Sequence, residues 1–415
     1  MKEISRHILS IIIFIGCILG MESCINDNAS DCDGTATGTQ DKDQLRLVLR
    51  ISSLDAGDSQ SSDVTEKIKS LRVIILNEKP NGDKCLECNK KLETDFNANQ
   101  FQHIFTWSTI EGIKHFFLIA NEESVLSVKT SSEEFERLSD LLNRYIPDTT
   151  ETTDFAEVIK SVYFKPESAY KISDNSIYLP YTAYYYGYDI KKGEHLAEVP
   201  YNMYLVPVAT KFTFNFTNKR VHDVSINEIS VTPIDTENFL IAHVGQNDIQ
   251  KDFDGENELY WIDWLAKVSE KSHQEEDYND NMSFNQKYGW IADYDIPNST
   301  KPNTQTLVEQ EQNISVPGMG IEGTIHKKLQ LGPYYLPESK SEDNYYLTLV
   351  LKDETVENQP EFEDVIIDNL KSLFRNTSVI INITMSEGDV EVYAEIFPWT
   401  RRLANGWVVE GGDSN

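Results

Sequence analysis

The chain has 415 residues, with 68 Asp and Glu against 37 Lys and Arg, giving a formal net charge of −31. That balance argues against a nucleic-acid partner, because phosphate binding requires a basic face, and it puts most of the acidity on solvated surface. A 40% hydrophobic and 11% aromatic content is ample for packed cores, and the length suggests about two domains.

The first 23 residues carry Lys2, Arg6 and His7 and then the apolar run Ile8 to Met21, which is short for a bilayer span and has a basic flank at its start. This is the pattern of a secretory signal peptide. Two cysteines could end it: Cys17 lies inside the apolar run, whereas Cys24 follows it and precedes Ile-Asn-Asp-Asn, so Cys24 is the expected lipidated residue. A diacylated cysteine would take the place of a transmembrane anchor; the alternative is an ordinary cleaved leader that leaves Cys24 a thiol. The leader's two basic and two acidic residues cancel, so the mature chain keeps the charge of −31. No other apolar segment approaches spanning length, and the mature chain is expected to be soluble outside the cytoplasm. Residues 24–43, rich in Asp, Gly, Ser and Thr, read as a flexible acidic tether.

From residue 44 the pattern changes. Leu45, Leu47, Leu49 and Ile51 alternate with Arg46, Val48 and Arg50, which predicts a strand with one apolar face. After a loop of Asp, Gly and Ser come a buried strand at Leu71–Leu76, a turn at Pro80-Asn81-Gly82, and strands at Gln102–Trp107 and Lys114–Asn121. Ser131–Tyr145 predicts a helix, with Ser132 as cap, Glu133 and Glu134 in the first turn, and Phe135, Leu138, Leu141 and Leu142 on one face. A second helix is expected over Thr153–Val162. An aromatic strand from Ser176 to Tyr188 closes a first domain, 44–200, with the boundary near Pro200.

In the second domain, 201–415, Val206, Val208, Thr210, Phe212, Phe214 and Phe216 alternate along Tyr201–Phe216. Further strands are expected at Val224–Val231, Asn238–Val244 and Tyr345–Leu351. Gly245–Asn313 reads as a long acidic surface excursion carrying Trp261, Trp264 and Trp290. A hairpin with arms at Thr377–Met385 and Val390–Phe397, turning at Ser386-Glu-Gly-Asp389, closes the chain; its first arm is apolar on both faces and suits a central strand. Many short strands with one or two short helices predict a mainly β fold of two tandem β-sandwiches.

Chemistry-bearing motifs are sparse. Cys85-Leu-Glu-Cys88 lacks the two further ligands that a zinc site needs, and the eight histidines are scattered singly. In an oxidising compartment a disulfide among Cys32, Cys85 and Cys88 is the better reading, with one of the three left over. Asp277-Tyr-Asn-Asp-Asn281 lacks the glycine and distal glutamate of a calcium loop and reads as solvated. There is no G-x-S-x-G, P-loop or H-E-x-x-H, and nothing selects a carboxylate pair among 68 acidic residues. The expectation is a non-enzyme without metal or cofactor, with glycan stacking on the tryptophans of the excursion as a separate alternative.

The leader ending at Cys24, the strand Leu45–Ser52, Ile68-Lys-Ser-Leu-Arg-Val-Ile-Ile-Leu76 and Lys114-His-Phe-Phe-Leu-Ile-Ala-Asn121 together resemble the N-terminal domain of fimbrillins, the subunits of type V pili. Val206-Pro-Val-Ala-Thr-Lys-Phe212 is similar to the start of that family's second domain, and Phe374-Arg375-Asn376 with Trp399 resembles its closing hairpin. The resemblance implies a lipoprotein of two transthyretin-like sandwiches that polymerises by donor-strand exchange, in which a protease removes the first strand and a neighbour's strand fills the groove. Carried onto this sequence, the leaving strand is Leu45–Ser52, with Leu45, Leu47, Leu49 and Ile51 pointing inward, and the donor is Leu403–Val409, with Leu403, Trp407 and Val409 as its apolar residues. The implied partners are other fimbrial subunits and, through the lipid, the outer membrane. The loop from Ser53 to Glu66 contains no Arg or Lys. Cleavage is therefore expected at Arg50 or Lys67, or not at all, as in an anchor subunit.

Overall fold

A computed structural model describes residues 45–53, 67–93, 102–130, 133–147, 155–191 except 168–169 and 171–177, and 201–398 except 243–248, 252–257, 261–302, 310–312, 320–327, 341–343, 354–359, 368–369, 371 and 374. The leader, Cys24, Cys32, the tether, Trp261, Trp264, Trp290, the Asp277–Asn281 motif and the proposed donor residues Leu403, Trp407 and Val409 lie outside these residues.

The protein is mainly β. Numbered along the chain, the N-terminal sheet runs β3 (Lys84–Glu93), β2 (Ser70–Glu78), β5 (Gly112–Ala120), β9 (Tyr181–Ile190), β10 (Tyr201–Pro207), β1 (Leu45–Ser53) and β4 (Gln102–Thr109). β2 and β5 are nearly continuous apolar runs, as strands covered on both faces require. One face carries Leu71, Val73, Ile75, Phe116 and Leu118, in the same apolar cluster as Leu47, Leu49 and Ile51 of β1, so the sheet packs upon itself. The opposite face carries Ile74, Leu76, Phe117 and Ile119 against α1 (Leu138–Leu142), α2 (Phe155–Ser161) and a small sheet of β13 (Asn238–Phe239), β8 (Tyr163–Phe164), β6 (Leu126–Lys129) and β7 (Glu134–Arg137).

The C-terminal half packs the sheet β18 (Leu329–Leu336), β11 (Thr210–Asn218), β23 (Thr377–Ser386), β24 (Asp389–Pro398) on the sheet β16 (Asn303–Val308), β12 (Val224–Ile234), β20 (Tyr345–Asp353), β21 (Pro360–Ile367), with β17 (Ile314–Val316) also paired to β12. Phe212, Phe214 and Phe216 of β11 meet Ile229, Val231, Leu347 and Leu349 in the shared core. Two small ladders, β14 (Ile249–Lys251) with β15 (Glu258–Tyr260) and β19 (Ser339–Lys340) with β22 (Ser372–Leu373), complete the described strands. The closing hairpin forms as the alternation predicts, and β23 is internal while β24 is an edge.

Several expectations are corrected. The stretch Tyr201–Phe216 is two strands and not one: β10 belongs to the N-terminal sheet and β11 to the second sandwich, with Val208 and Ala209 between them. The helix expected over Ser131–Tyr145 is a strand followed by a short helix. Phe135 pairs with Val128 in the β6–β7 ladder, and only Leu138–Leu142 turns helical, with no side-chain cap; tertiary pairing overrides local propensity there. The Gly245–Asn313 excursion ends in β16, a member of the five-stranded sheet. The strand expected at Asn238–Val244 is two residues long. β3 covers the Cys85-x-x-Cys88 spacing, with Cys85 partly exposed and Cys88 buried. The β2–β3 ladder shifts register between Cys88 and Leu86, and Cys88 Sγ donates toward the Val73 carbonyl at 3.8 Å.

A buried ion pair fastens the two halves. Arg375 and Glu338 are 1% and 2% exposed. The Arg375 guanidinium donates through Nε to Glu338 Oε1 at 2.9 Å and through Nη2 to Oε2 at 2.6 Å. Its remaining N–H groups reach the carbonyls of Leu240 at 3.0 Å and Phe239 at 2.6 Å. Thr182 Oγ1 of β9 donates to the same Leu240 carbonyl at 2.8 Å, bringing the N-terminal sheet into the network. A bidentate pair with its other donors satisfied is favourable; breaking it leaves a buried charge unmet. Arg375→Ala is therefore expected to cost about 3–5 kcal/mol in chemical denaturation. Removing the exposed Arg144 from its pair with Glu133 should change stability by no more than about 1 kcal/mol.

Candidate functional site

The site that the sequence points to is β1 and the seat it occupies. Leu47, Leu49 and Ile51 are 1%, 0% and 2% exposed, and Leu45 packs against the same cluster. Period-two alternation therefore places all four inward, as expected. On one side β1 runs parallel to β10, with Leu49–Ser53 opposite Tyr201–Leu205. On the other it runs antiparallel to β4, with Leu45 opposite Thr109 through Ser52 opposite Gln102 and no shift of register. Its inward leucines lie among Phe105, Met203 and Leu205, all buried. Burying each such side chain is worth about 1.5–3 kcal/mol.

The neighbours depend on β1. Among the described residues β4 has no other ladder, and β10 pairs with β9 only through Val206 and Pro207. One side chain reinforces this weak join, and another ties β4 to β3. The Tyr204 amide donates to the Tyr185 hydroxyl at 2.7 Å, and Trp107 Nε1 of β4 donates to Glu87 Oε1 of β3 at 3.3 Å. Glu87 in turn takes the fully buried ammonium of Lys114 at 2.6 Å, and that ammonium also reaches Asn77 Oδ1 at 2.9 Å. Without β1, β10 would present an open edge above an apolar slot and β4 would lose its ladder.

Arg50 and Lys67, the expected cleavage residues, are both half-buried and tied to neighbouring elements. Arg50 is half-buried and faces Asn202 on β10 and Ile104 on β4, so its backbone lies between two paired strands. Lys67 is held by Asn121, which follows β5 and takes a left-handed conformation at φ 56°, one that Asn tolerates better than most residues. Asn121 Nδ2 donates to the Lys67 carbonyl at 2.9 Å and to the Leu179 carbonyl at 2.7 Å, and its Oδ1 accepts from the Lys69 amide at 2.7 Å. The residues flanking the Lys67–Ile68 peptide are thus pinned to a buried amide, with Ile68 itself in the core. Sequence reasoning placed Asn121 at the end of a strand and missed this role; the available signal was an Asn closing an apolar run just before Glu122-Glu123.

Among the described residues no group of three or more His, Cys, Asp and Glu is placed to hold a metal, and no helix is long and apolar enough to cross a membrane.

Asn121→Gly removes the side-chain hydrogen bonds while leaving the positive φ unstrained. Unmet buried backbone groups cost about 1–3 kcal/mol, so trypsin should cut after Lys67 about tenfold faster in this variant than in the parent, by mass spectrometry of timed digests. An unchanged rate would remove the clamp from the account.

No protein-family model matches the chain, and no curated protein matches it. Among solved structures it is similar to the tip fimbrial protein Mfa3 from Porphyromonas gingivalis with C-terminal truncation, at 12% identity and a TM-score of 0.47, covering 86% of this chain and 100% of that one. It is also similar to a fimbrial assembly protein from Parabacteroides distasonis, at 9% identity and a TM-score of 0.39, covering 85% of this chain and 98% of that one.

Proposed function

We propose that this chain is a structural subunit of a cell-surface fimbria, exported as a lipoprotein through Cys24 to the outer membrane, and that it keeps its first strand. The resemblance of its leader and its succession of strands to fimbrillins supports the fimbrial part of this reading. The observation that carries the rest is the double protection of β1: Arg50 lies between two ladders and Lys67 is clamped by Asn121, while Ser53 to Glu66 contains no basic residue. A chain that cannot be cut there stays attached to its lipid and ends a polymer at the membrane. Its partners are other fimbrial subunits.

A second reading, exchange of β1 for a neighbour's strand, is favoured by the one-sided burial of Leu45, Leu47, Leu49 and Ile51 and by the position of β1 between two strands. In that reading Leu403, Trp407 and Val409 supply the donor, and cleavage requires local opening at Arg50 or Lys67.

Intact mass and N-terminal sequencing of the protein from outer membranes and from surface fibres separate the two. A single lipid-bearing form beginning at Cys24 is expected. A lipid-free form beginning at Ile51 or Ile68 would contradict retention of β1 and favour exchange.

A further inference from the structure

Beneath α2 the fold buries a histidine that is held at both ring nitrogens. His115 of β5 is 5% exposed. Its Nε2 lies 2.7 Å from Glu78 Oε2 of β2, and its Nδ1 lies 3.2 Å from the Tyr184 hydroxyl of β9. A carboxylate only accepts, so Nε2 carries the hydrogen, and in the neutral ring Nδ1 accepts from Tyr184. The β5–β9 ladder is interrupted at this point. Its register shifts between Lys114–Tyr188 and Phe116–Tyr185, which sets Tyr186 and Gly187 together opposite His115, with Gly187 at φ 73°. A bulge of this kind re-aims side chains out of the regular pleat.

Tyr184 is the surface on which α2 rests. Its ring stacks on Phe117 with centroids 4.4 Å apart, and the Lys160 ammonium of α2 lies 4.5 Å above it. Phe155, the first residue of α2, meets Phe117 edge-on at 6.2 Å and Tyr145 at 4.6 Å. The bond between His115 and the Tyr184 hydroxyl therefore fixes one layer of the stack that carries the helix.

The groups around His115 oppose a second proton. Lys84 of β3 stands opposite Glu78 in the β2–β3 ladder, and Lys160 reaches down from α2. Burial lowers the His115 pKa from its ordinary 6.5, with Lys84 and Lys160 adding to it and Glu78 opposing. A proton on Nδ1 would also reverse the bond to Tyr184, making that hydroxyl accept where it now donates. We infer that His115 is a proton-operated latch on α2: neutral, it fixes Tyr184 beneath the helix; charged, it releases Tyr184, and α2 opens to admit water while the β2–β5 ladder stays closed. Opening uncovers the apolar face of Ile74, Phe117 and Ile119. That face is the one opposite the inward residues of β1, so the latch is independent of which assembly reading holds.

The sign follows from linkage. The closed form holds His115 neutral, and the open form lets it charge at its ordinary value. The stability of the closed helix is fully present above about pH 6.5 and falls below it, by at most about tenfold in the opening constant per pH unit for one proton.

The test is amide hydrogen exchange of the full chain, made without lipid by Cys24→Ser, between about pH 7.5 and about pH 5, with rates corrected for the intrinsic effect of pH. In the parent the protection of the α2 amides is expected to fall about tenfold or more over that range, while that of Val73 and Leu118 holds. His115→Gln keeps a donor for Glu78 but cannot titrate, so its α2 protection, whatever its level, is expected to be the same at both ends. Circular dichroism checks that the variant folds; if it does not, Glu78→Gln replaces it, and the loss is expected to move to lower pH because the group that favours the charged ring is gone. Constant α2 protection in the parent, an equal loss in His115→Gln, a loss that Glu78→Gln leaves in place, or a loss shared by Val73 and Leu118 would each overturn the inference.

Discussion

The state of the N-terminal half rests on the two ladders of one strand. β4 has no described ladder except the one to β1, and β10 meets β9 over only two residues. β1 thus closes the sheet over its own core, and the inward set Leu47, Leu49 and Ile51 fills the space that a departing strand would empty. A strand so placed is suited either to replacement by another alternating strand or to permanent retention. What separates the two outcomes is access to the peptide bonds that would release it. Both basic positions that bracket the loop after β1 are tied into structure, one by backbone pairing and the other by a single asparagine.

The rest of the molecule gives that strand a rigid setting. β2 and β5 are apolar on both faces, packing β1 and its neighbours on one side and the short helices on the other. The Arg375–Glu338 pair, with Thr182, Phe239 and Leu240, locks the N-terminal sheet to the loop before the closing hairpin. Arg220 does similar work at the far end of the second sandwich, joining Glu361 of β21 to the Ser386 carbonyl in the closing turn. Both are forked arginine–carboxylate contacts in partly or wholly dry surroundings, where geometry and partner count decide whether a charge is tolerated.

Much of this architecture was legible in the sequence, because its strands are regular and amphipathic. β1, β2, β5, β20 and the closing hairpin follow directly from period-two alternation or from short apolar runs. β3 was hidden: Lys-Cys-Leu-Glu-Cys-Asn-Lys-Lys-Leu-Glu is an edge strand whose charges obscure its alternation. Phe135, Leu138, Leu141 and Leu142 fit a helical face, yet the β6–β7 ladder takes the first of them into a strand. The candidate site was half legible. The inward residues of β1 could be read off, but the clamp on Lys67 joins positions 54 residues apart, and the Arg375–Glu338 pair spans 37; such partnerships leave no local pattern.

Retention of β1 is tested most directly by native-state hydrogen exchange. If the strand is fixed in its seat, the amides of Leu47, Leu49 and Ile51 that lie in its ladders exchange only with the global unfolding that also exposes β2 and β5, at matching free energy and denaturant dependence. Exchange of those amides through a separate opening, at a free energy well below that of Val73 and Leu118, would contradict the account and describe a strand ready to leave.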